Sequence, residues 1–251
     1  MENAIRLYSD DFTENHNVVP LYNGNFDGIP EDEVNNILND IDNYPHAFIL
    51  ACTIDYCVDA NIAWSIPYQI MKALGGDFSI EKLASISERN YKKLFRKLRP
   101  GHRFVNQSAR VFYRAVQRIK NRYDGDASVM WKEKSVELFI KEFRSFYHVG
   151  QKISNMAANL LYTNLGVKFT DLCNIDIAVD RHVERVFYRT GLVDQNAKRK
   201  TIIQRAREIN PEYPGRLDLP VFNLGRNTCL KHNPLCNKCP LSETCPKLIA
   251  D

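Results

Sequence analysis

Four cysteines near the C-terminus carry the strongest chemical signal in this sequence. They fall within seventeen residues and are separated by gaps of six, two and five residues: Cys229, Cys236, Cys239 and Cys245. Thiolates bind soft metals, so a group of this density can enclose one metal centre. Zinc fingers and ribbons usually contain two Cys-x-x-Cys knuckles, whereas only Cys236 and Cys239 form one here. The spacing therefore favours an iron–sulfur cluster, with structural zinc as the alternative.

A lysine stands immediately after a short turn between two amphipathic segments. The turn is Phe146–Gly150, and the apolar stripe of the helix predicted after it begins at Ile153. Lys152 would lie in the first turn of that helix, where the helix dipole and partial burial both disfavour an ammonium. A nucleophilic amine needs those conditions. The turn could also bind a phosphate through backbone N–H groups, although an ordinary helix–turn–helix corner with a surface lysine has the same pattern.

An aspartate stands at the start of a later helix. Asp180 follows the apolar segment 175–179 and occupies the N-cap position of a helix predicted from Arg181. Capping is the common role of an aspartate at such a position. The N–H groups that a capping carboxylate accepts also keep it ionised, as stabilisation of a developing positive charge requires. Asp180 is therefore a candidate for both roles.

The charges of the chain are distributed unevenly. The net charge of the 251 residues is +4, yet residues 1–44 contain ten acidic residues and one basic residue. The remainder carries a large positive charge, which suggests a polyanionic partner. The segment 90–123 has eleven Lys or Arg and no acid, and four of its arginines recur at helical spacing: Arg110, Arg114, Arg118 and Arg122. This stripe fits either a solvated helix face or phosphate contact.

Helical periodicity dominates the chain, and it predicts an all-α fold. The expected helices are 31–41, 47–57, 62–74, 88–97, 104–122, 135–146, 151–164, 181–188 and 198–209, whereas Tyr8–Pro30 reads as an irregular lead-in. No run of eighteen apolar residues and no basic-then-apolar leader is present. We therefore expect no membrane span and a cytoplasmic location (nucleoid-associated in a prokaryote), where thiols stay reduced.

Three segments taken together resemble a known family. They are Val149-Gly150-Gln151-Lys152, Val179-Asp180-Arg181-His182, and Leu224-Gly225-Arg226-Asn227-Thr228-Cys229 with the cysteines that follow. In this order and with this cysteine spacing, the chain resembles the helix-hairpin-helix DNA glycosylase superfamily, specifically its iron–sulfur branch typified by endonuclease III. A weaker similarity is the segment 104–109, which matches an aromatic-x-Asn-x-x-Ala pattern. The resemblance covers Tyr44 to the C-terminus.

The resemblance implies an all-α fold of two domains with a DNA cleft between them. A six-helix barrel domain would span residues 44–164 and contain the helix-hairpin-helix at about 135–164. Residues 165–251 would form the second helical domain, which holds the cluster loop 229–245. The acidic segment 1–43 would pack with this second domain.

The resemblance also implies base-excision repair by a monomer that binds double-stranded DNA containing a damaged or modified base. Lys152 would attack C1′ of a flipped nucleotide with the help of Asp180, and abasic-site cleavage by β-elimination would follow. The four cysteines would hold a 4Fe-4S cluster that positions basic residues beside the phosphates. The implied DNA contacts are His148, Val149, Gly150, Gln151, Arg226, Lys231 and Lys238.

Two departures from the family pattern concern substrate selection. His148 stands where the family hairpin has its first glycine, so the hairpin is either reshaped or directs an imidazole towards DNA or the lesion pocket. The family's Gln-containing motif is not recognisable in 51–60, where Asp55 and Tyr56 are candidates for the lesion pocket together with His148. Two other functions remain open: a monofunctional glycosylase that uses an Asp180-activated water, and a catalytically silent iron–sulfur DNA-binding module.

Overall fold

The computed structural model describes residues 1–15 and 20–249, which contain α-helices and no β-strand. The helices are α1 (Glu2–Asn15), α2 (Glu31–Asn39), α3 (Pro45–Ile54), α4 (Ala60–Ala73), α5 (Ile80–Ser85), α6 (Glu88–Phe95), α7 (Val105–Arg122), α8 (Val129–Lys132), α9 (Val136–Phe143), α10 (Gln151–Thr163), α11 (Arg181–Arg189), α12 (Arg199–Ile209) and α13 (Asp218–Asn227). The all-α prediction is confirmed. None of these helices has the length and apolar character needed to cross a membrane.

The chain divides into two compact units. Among the described residues, the C-terminal unit consists of 1–15 and 169–249, and the hairpin unit consists of 20–168. This division separates the acidic segment 1–43, all of which was expected to pack with the C-terminal helices. In the structure α1 packs on α12 and α13, whereas α2 packs on α3 and α4. The reason is the apolar face of α2, whose Val34, Ile37 and Leu38 are buried in the hairpin unit.

Helix α1 begins ahead of the predicted irregular lead-in 8–30 and continues to Asn15, so the first part of that prediction is wrong. Residues 16–19 of the lead-in lie outside the described part of the chain. The helix has a single fully buried apolar side chain, Ile5, which joins the core formed by Val183, Val186 and Phe187. Such a polar segment gives a weak periodic signal, because its helix is stabilised mainly by packing against other helices.

Helix α3 is the buried centre of the hairpin unit. All ten of its residues are buried, and α4, α7 and α10 pack against it. A helix that is apolar on every side is expected inside a protein, since no face of it suits water. Its C-terminal end therefore fixes the position of the next residues, Asp55 and Tyr56.

The arginine stripe of α7 contacts other parts of the hairpin unit. Arg110 lies 3.2 Å from Glu88 and Arg122 lies 3.7 Å from Glu142, while Arg114 and Arg118 lie over the rings of Tyr147 and Phe146 at 4.3 and 5.2 Å. The segment 90–123 contains no acid, but the fold brings carboxylates to it from other helices. Two of the arginines also support the turn before α10 through cation–π contacts. The stripe is thus explained without phosphate contact.

The packing of α1 yields a stability prediction. Ile5→Ala should lower the free energy of unfolding by about 2–5 kcal/mol, because it leaves a cavity in a core that α1 shares with α11. Leu7→Ala is the matched control on the same helix, since Leu7 is 63% exposed, and it should change stability by less than about 0.5 kcal/mol. Urea unfolding of both variants measures the difference. Equal effects would contradict the placement of α1.

Candidate functional site

The turn between α9 and α10 places Lys152 beside a buried carboxylate. Lys152 Nζ lies 3.5 Å from Asp55 Oδ2, and the two side chains are 33% and 10% exposed. The same Nζ lies 3.6 Å from Met156 Sδ, one turn further along α10. Asp55 and Lys152 are 97 residues apart in sequence. Their contact depends on the packing of α10 against the end of α3.

His148 keeps the backbone conformation that a glycine would favour at its position. Its φ is +73°, in the left-handed region that histidine adopts less readily than glycine. The exposed imidazole lies against the Tyr56 ring, with 4.4 Å between the ring centroids. Gln107 Nε2 is 2.7 Å from His148 Nε2. The side chain is therefore directed to Tyr56 and held there.

Tyr56 is the centre of a group of aromatic and polar side chains. Its hydroxyl lies 3.3 Å from Ser108 Oγ, and its ring lies 4.9 Å from that of His102. Burial raises the pKa of the Tyr56 phenol. His102 Nδ1 accepts the N–H of Phe104 at 3.0 Å, so Nε2 carries the proton and donates to the Ile54 carbonyl at 3.1 Å. Burial lowers the pKa of His102, which is thus a neutral support for the end of α3.

Three of these supporting residues, Gln107, Ser108 and His102, were not identified from the sequence. Gln107 and Ser108 belong to the segment 104–109, whose resemblance to a family pattern was the available signal. His102 lies just before that segment and had no signal of its own. The three candidate pocket residues Asp55, Tyr56 and His148 are brought together, although a role in binding a base stays a prediction.

Gly150 begins α10 without a side-chain cap. Its φ of −110° suits any residue, and a Cβ built on it would meet no atom within 4 Å. Neither the backbone conformation nor steric crowding within the protein therefore requires a glycine at this position. A side chain is excluded only if an outside ligand approaches the start of the helix, where N–H groups and the dipole favour an anion.

Asp180 caps α11 in the C-terminal unit, as predicted. Its carboxylate accepts the N–H groups of His182 and Val183 at 2.8 and 3.0 Å. The position of α11 is set by α13, because a Cβ on Gly225 would lie 2.9 Å from both Cβ and O of His182. The glycine of the predicted Gly-Arg-x-Thr-Cys segment therefore permits close packing beside the helix that Asp180 begins.

Two arginines of α11 hold the start of the cysteine loop. Arg185 Nε donates to the Cys229 carbonyl at 2.7 Å. Arg189 donates to the carbonyls of Leu230 and Lys231 at 2.5 and 2.9 Å, and its Nη1 lies 3.6 Å from Cys229 Sγ. Neither arginine was identified as a candidate from the sequence. Only their spacing of four residues, which places them on one face of a helix, indicated a shared role. One helix thus connects Asp180 to the first cysteine.

The four predicted metal ligands line a single pocket. Cys229, Cys236, Cys239 and Cys245 all contribute to its wall, and none forms a disulfide. Burial, followed by the proximity of the other thiolates, raises the pKa of Cys239. No group of three or more His, Cys, Asp or Glu side chains in the described residues has the geometry to hold a metal ion. The structure brings the donors to one place but does not form a single-ion site.

The remaining predicted DNA contacts differ in exposure. Val149 is 8% exposed, so only its backbone is available to a ligand. Gln151 is half-buried, whereas Arg226, Lys231 and Lys238 are exposed in the C-terminal unit. Arg226 lies 6.0 Å above the Phe222 ring. Burial excludes the side chain of Val149 as a DNA contact, and the other contacts stay predictions.

Comparisons with known proteins establish the fold. No family model matches the sequence, and no curated protein matches it. Two solved structures of endonuclease III, a trapped covalent intermediate with DNA and a non-covalent DNA complex, are each 17% identical with a TM-score of 0.66. Each match covers 98% of this chain and 96% of the other.

A thermostable thymine-DNA glycosylase is also similar. It is 14% identical, with a TM-score of 0.57, over 98% of this chain and 94% of the other. At such low identities, similarity over nearly the whole length supports a conclusion about architecture alone. The chain has the all-helical fold of endonuclease III.

Proposed function

We propose that the protein is a DNA glycosylase with abasic-site lyase activity, acting as a monomer on double-stranded DNA that contains a damaged or modified base. The observation that carries the proposal is the position of Lys152, half-buried in the first turn of α10 directly after the turn 146–150. One of the endonuclease III structures is a trapped covalent intermediate with DNA. A covalent intermediate requires a protein nucleophile, and Lys152 is a residue of the right type.

The proposed mechanism uses Lys152 as the nucleophile and Asp180 as its electrostatic partner. Lys152, as a free amine, attacks C1′ of a flipped nucleotide and displaces the base, which leaves a Schiff base. β-Elimination then breaks the strand. Two backbone N–H groups donate to the Asp180 carboxylate and fix its position. Its carboxylate stabilises the positive charge that develops on the sugar as the base departs.

The turn 146–150 and the start of α10 would bind the DNA backbone. An uncapped helix N-terminus with a glycine that the protein itself does not require suits a phosphate. Contacts of this kind carry no base sequence information, as expected for an enzyme that searches DNA for rare lesions. The exposed Arg226, Lys231 and Lys238 would add further phosphate contacts.

The four cysteines would hold a 4Fe-4S cluster. Four free thiols that line one pocket, at gaps of six, two and five residues with a single Cys-x-x-Cys knuckle, suit such a cluster. Basic neighbours suit thiolates, and Arg189 reaches Cys229 Sγ at 3.6 Å. The cluster would act as a structural cross-link of the loop.

Substitution of Lys152 tests the lyase activity. Lys152→Ala should abolish the covalent adduct formed when borohydride is added to the protein and lesion-containing duplexes, because no amine remains to form the Schiff base. Lys141→Ala removes an exposed lysine of α9 and should leave the adduct unchanged. Base release and strand cleavage are scored separately on a panel of lesions.

The same experiment separates the second candidate function. A carboxylate 3.5 Å from Lys152 favours the ammonium form, which is not nucleophilic. A monofunctional glycosylase would release the base in Lys152→Ala but not in Asp180→Asn, which still caps α11. Adduct formation by Lys152→Ala, or no base release from any lesion by the wild type, would contradict the proposed function.

Substitution of Gly150 tests the phosphate site. Gly150→Ala and Gly150→Ser should both weaken binding to duplex DNA about tenfold, which corresponds to 1.4 kcal/mol, because any side chain occupies the space of the phosphate. Serine is a good N-cap, so the Ser variant controls for loss of helix stability. Fluorescence anisotropy at two salt concentrations measures the affinity. Unchanged affinity in both variants would exclude this site.

Metal analysis tests the cluster. The purified protein should be brown and contain about four iron and four sulfide per chain. Cys236→Ser should lose most of this iron, whereas Cys173→Ser, at an exposed cysteine outside the pocket, should retain it. One zinc per chain and a colourless protein would show that the alternative from the sequence is correct.

A further inference from the structure

Asp55 is a buried carboxylate at an unfavourable end of a helix. It is 8% exposed and directly follows α3, with its own N–H donating to the Cys52 carbonyl at 3.2 Å. The helix dipole disfavours an anion at the C-terminal end, and burial adds a desolvation cost. A cation must offset both effects. Lys152, 3.5 Å away, supplies that charge.

Two further titratable groups of the hairpin unit lie beside this pair, and both are neutral at pH 7. Cys52 is fully buried one turn earlier on α3 and interacts electrostatically with both Asp55 and Lys152. Burial raises the pKa of the Cys52 thiol well above its ordinary value, so it stays protonated. His102, which donates to the Ile54 carbonyl, has its pKa lowered by burial. Neither group therefore competes with Asp55 for the proton of Lys152.

We propose that Asp55 is the proton acceptor that converts the Lys152 ammonium into the free amine. This inference rests on the proposed function and adds a third residue to its mechanism. The two charges lie in direct contact, and only Lys152 is substantially open to water, with 33% of its side chain exposed. A flipped nucleotide that covers this side chain removes its remaining solvent. Loss of solvent favours the neutral amine and carboxylic acid over the ion pair.

The steps balance without another reactant. Transfer of one proton from Nζ to Oδ2 leaves an amine and an acid. The lone pair of the amine forms a bond to C1′ while the C1′–N bond breaks and its electron pair leaves with the base. The acid gives its proton to the departing base, which regenerates the Asp55 carboxylate. One proton of the new ammonium then moves to O4′ as the sugar opens to the Schiff base.

Asp55→Asn tests the proposal on duplexes that carry a preformed abasic site, where no base release is needed. The single-turnover rate of borohydride trapping should fall about 100-fold or more at neutral pH. The rate should recover at alkaline pH, because solvent base then replaces Asp55. A carboxylate that only held the lysine as an ammonium would give the opposite result, a faster reaction at neutral pH.

A second measurement needs no DNA. Acetic anhydride labels lysine only as the free amine, and peptide mass spectrometry reports the labelling of Lys152 as a function of pH. In Asp55→Asn the midpoint of this labelling should fall by about one pH unit, because the adjacent negative charge is gone. A lysine that loses its proton more easily and yet reacts more slowly with DNA is a combination that a merely structural role would not produce.

The chain offers a matched control and a rescue. Asp59→Asn changes an exposed carboxylate that caps α4, where it accepts the Asn61 N–H at 2.9 Å. Asparagine caps equally well, so neither measurement should change. Asp55→Glu keeps a carboxylate and should recover more of the rate than Asn does. If Asp55→Asn does not fold, Asp55→Ser removes the same charge with a smaller side chain and has the same expected result.

Two outcomes would overturn the role of Asp55 while leaving the lyase activity intact. Trapping by Asp55→Asn as fast as or faster than wild type at neutral pH would show that Asp55 accepts no proton. An unchanged labelling midpoint would show that Asp55 exerts no charge effect on Lys152. If the wild-type protein forms no adduct with an abasic site, this result excludes the proposed lyase activity and, with it, the role of Asp55. If the adduct depends on Lys152 but not on Asp55, this result excludes only the role of Asp55.

Discussion

Lys152 and Asp55 place opposite charges 3.5 Å apart where α10 meets the end of the buried helix α3. This contact constrains the hairpin unit, because burial of a carboxylate that is 8% exposed has a desolvation cost that an opposite charge offsets. The turn 146–150 directs α10 to that position, and two arginines of α7 pack on its aromatic rings. The elements around Lys152 thus serve to place one amine against one carboxylate, which is the arrangement needed to control when that amine is neutral.

In the C-terminal unit, one helix connects Asp180 to the cysteine loop. Helix α11 begins at the capping carboxylate of Asp180 and ends at Arg189, which holds the loop of the first cysteine through two carbonyls. Gly225 permits α13 to approach the first turn of α11 closely. A change in the cysteine loop would therefore reach Asp180 through a single packed helix. The proposed metal centre would thus act structurally, since the proposed bond-breaking residues lie 49 to 77 positions before Cys229.

Helices with strong apolar periodicity were predictable from the sequence, and so were the residues that resemble a known pattern. The N-cap role of Asp180 followed from its position before an amphipathic helix. Helix α1 was missed because a single buried apolar side chain, Ile5, gives no periodic signal. The pairing of Asp55 with Lys152 also could not be predicted from the sequence, since it joins positions 97 residues apart and depends on how α10 packs on α3. The carboxylates that pair with the α7 arginines come from α6 and α9. They could not be predicted either, because their positions depend on how these helices pack.

In the proposed reaction, Lys152 becomes covalently linked to DNA. Peptide mapping of the borohydride-reduced adduct by mass spectrometry measures this directly, because the modified residue retains the mass of the reduced sugar fragment. We expect one modified peptide, with the added mass on Lys152. A modification on another residue, or release of the base with no modified peptide at all, would contradict it.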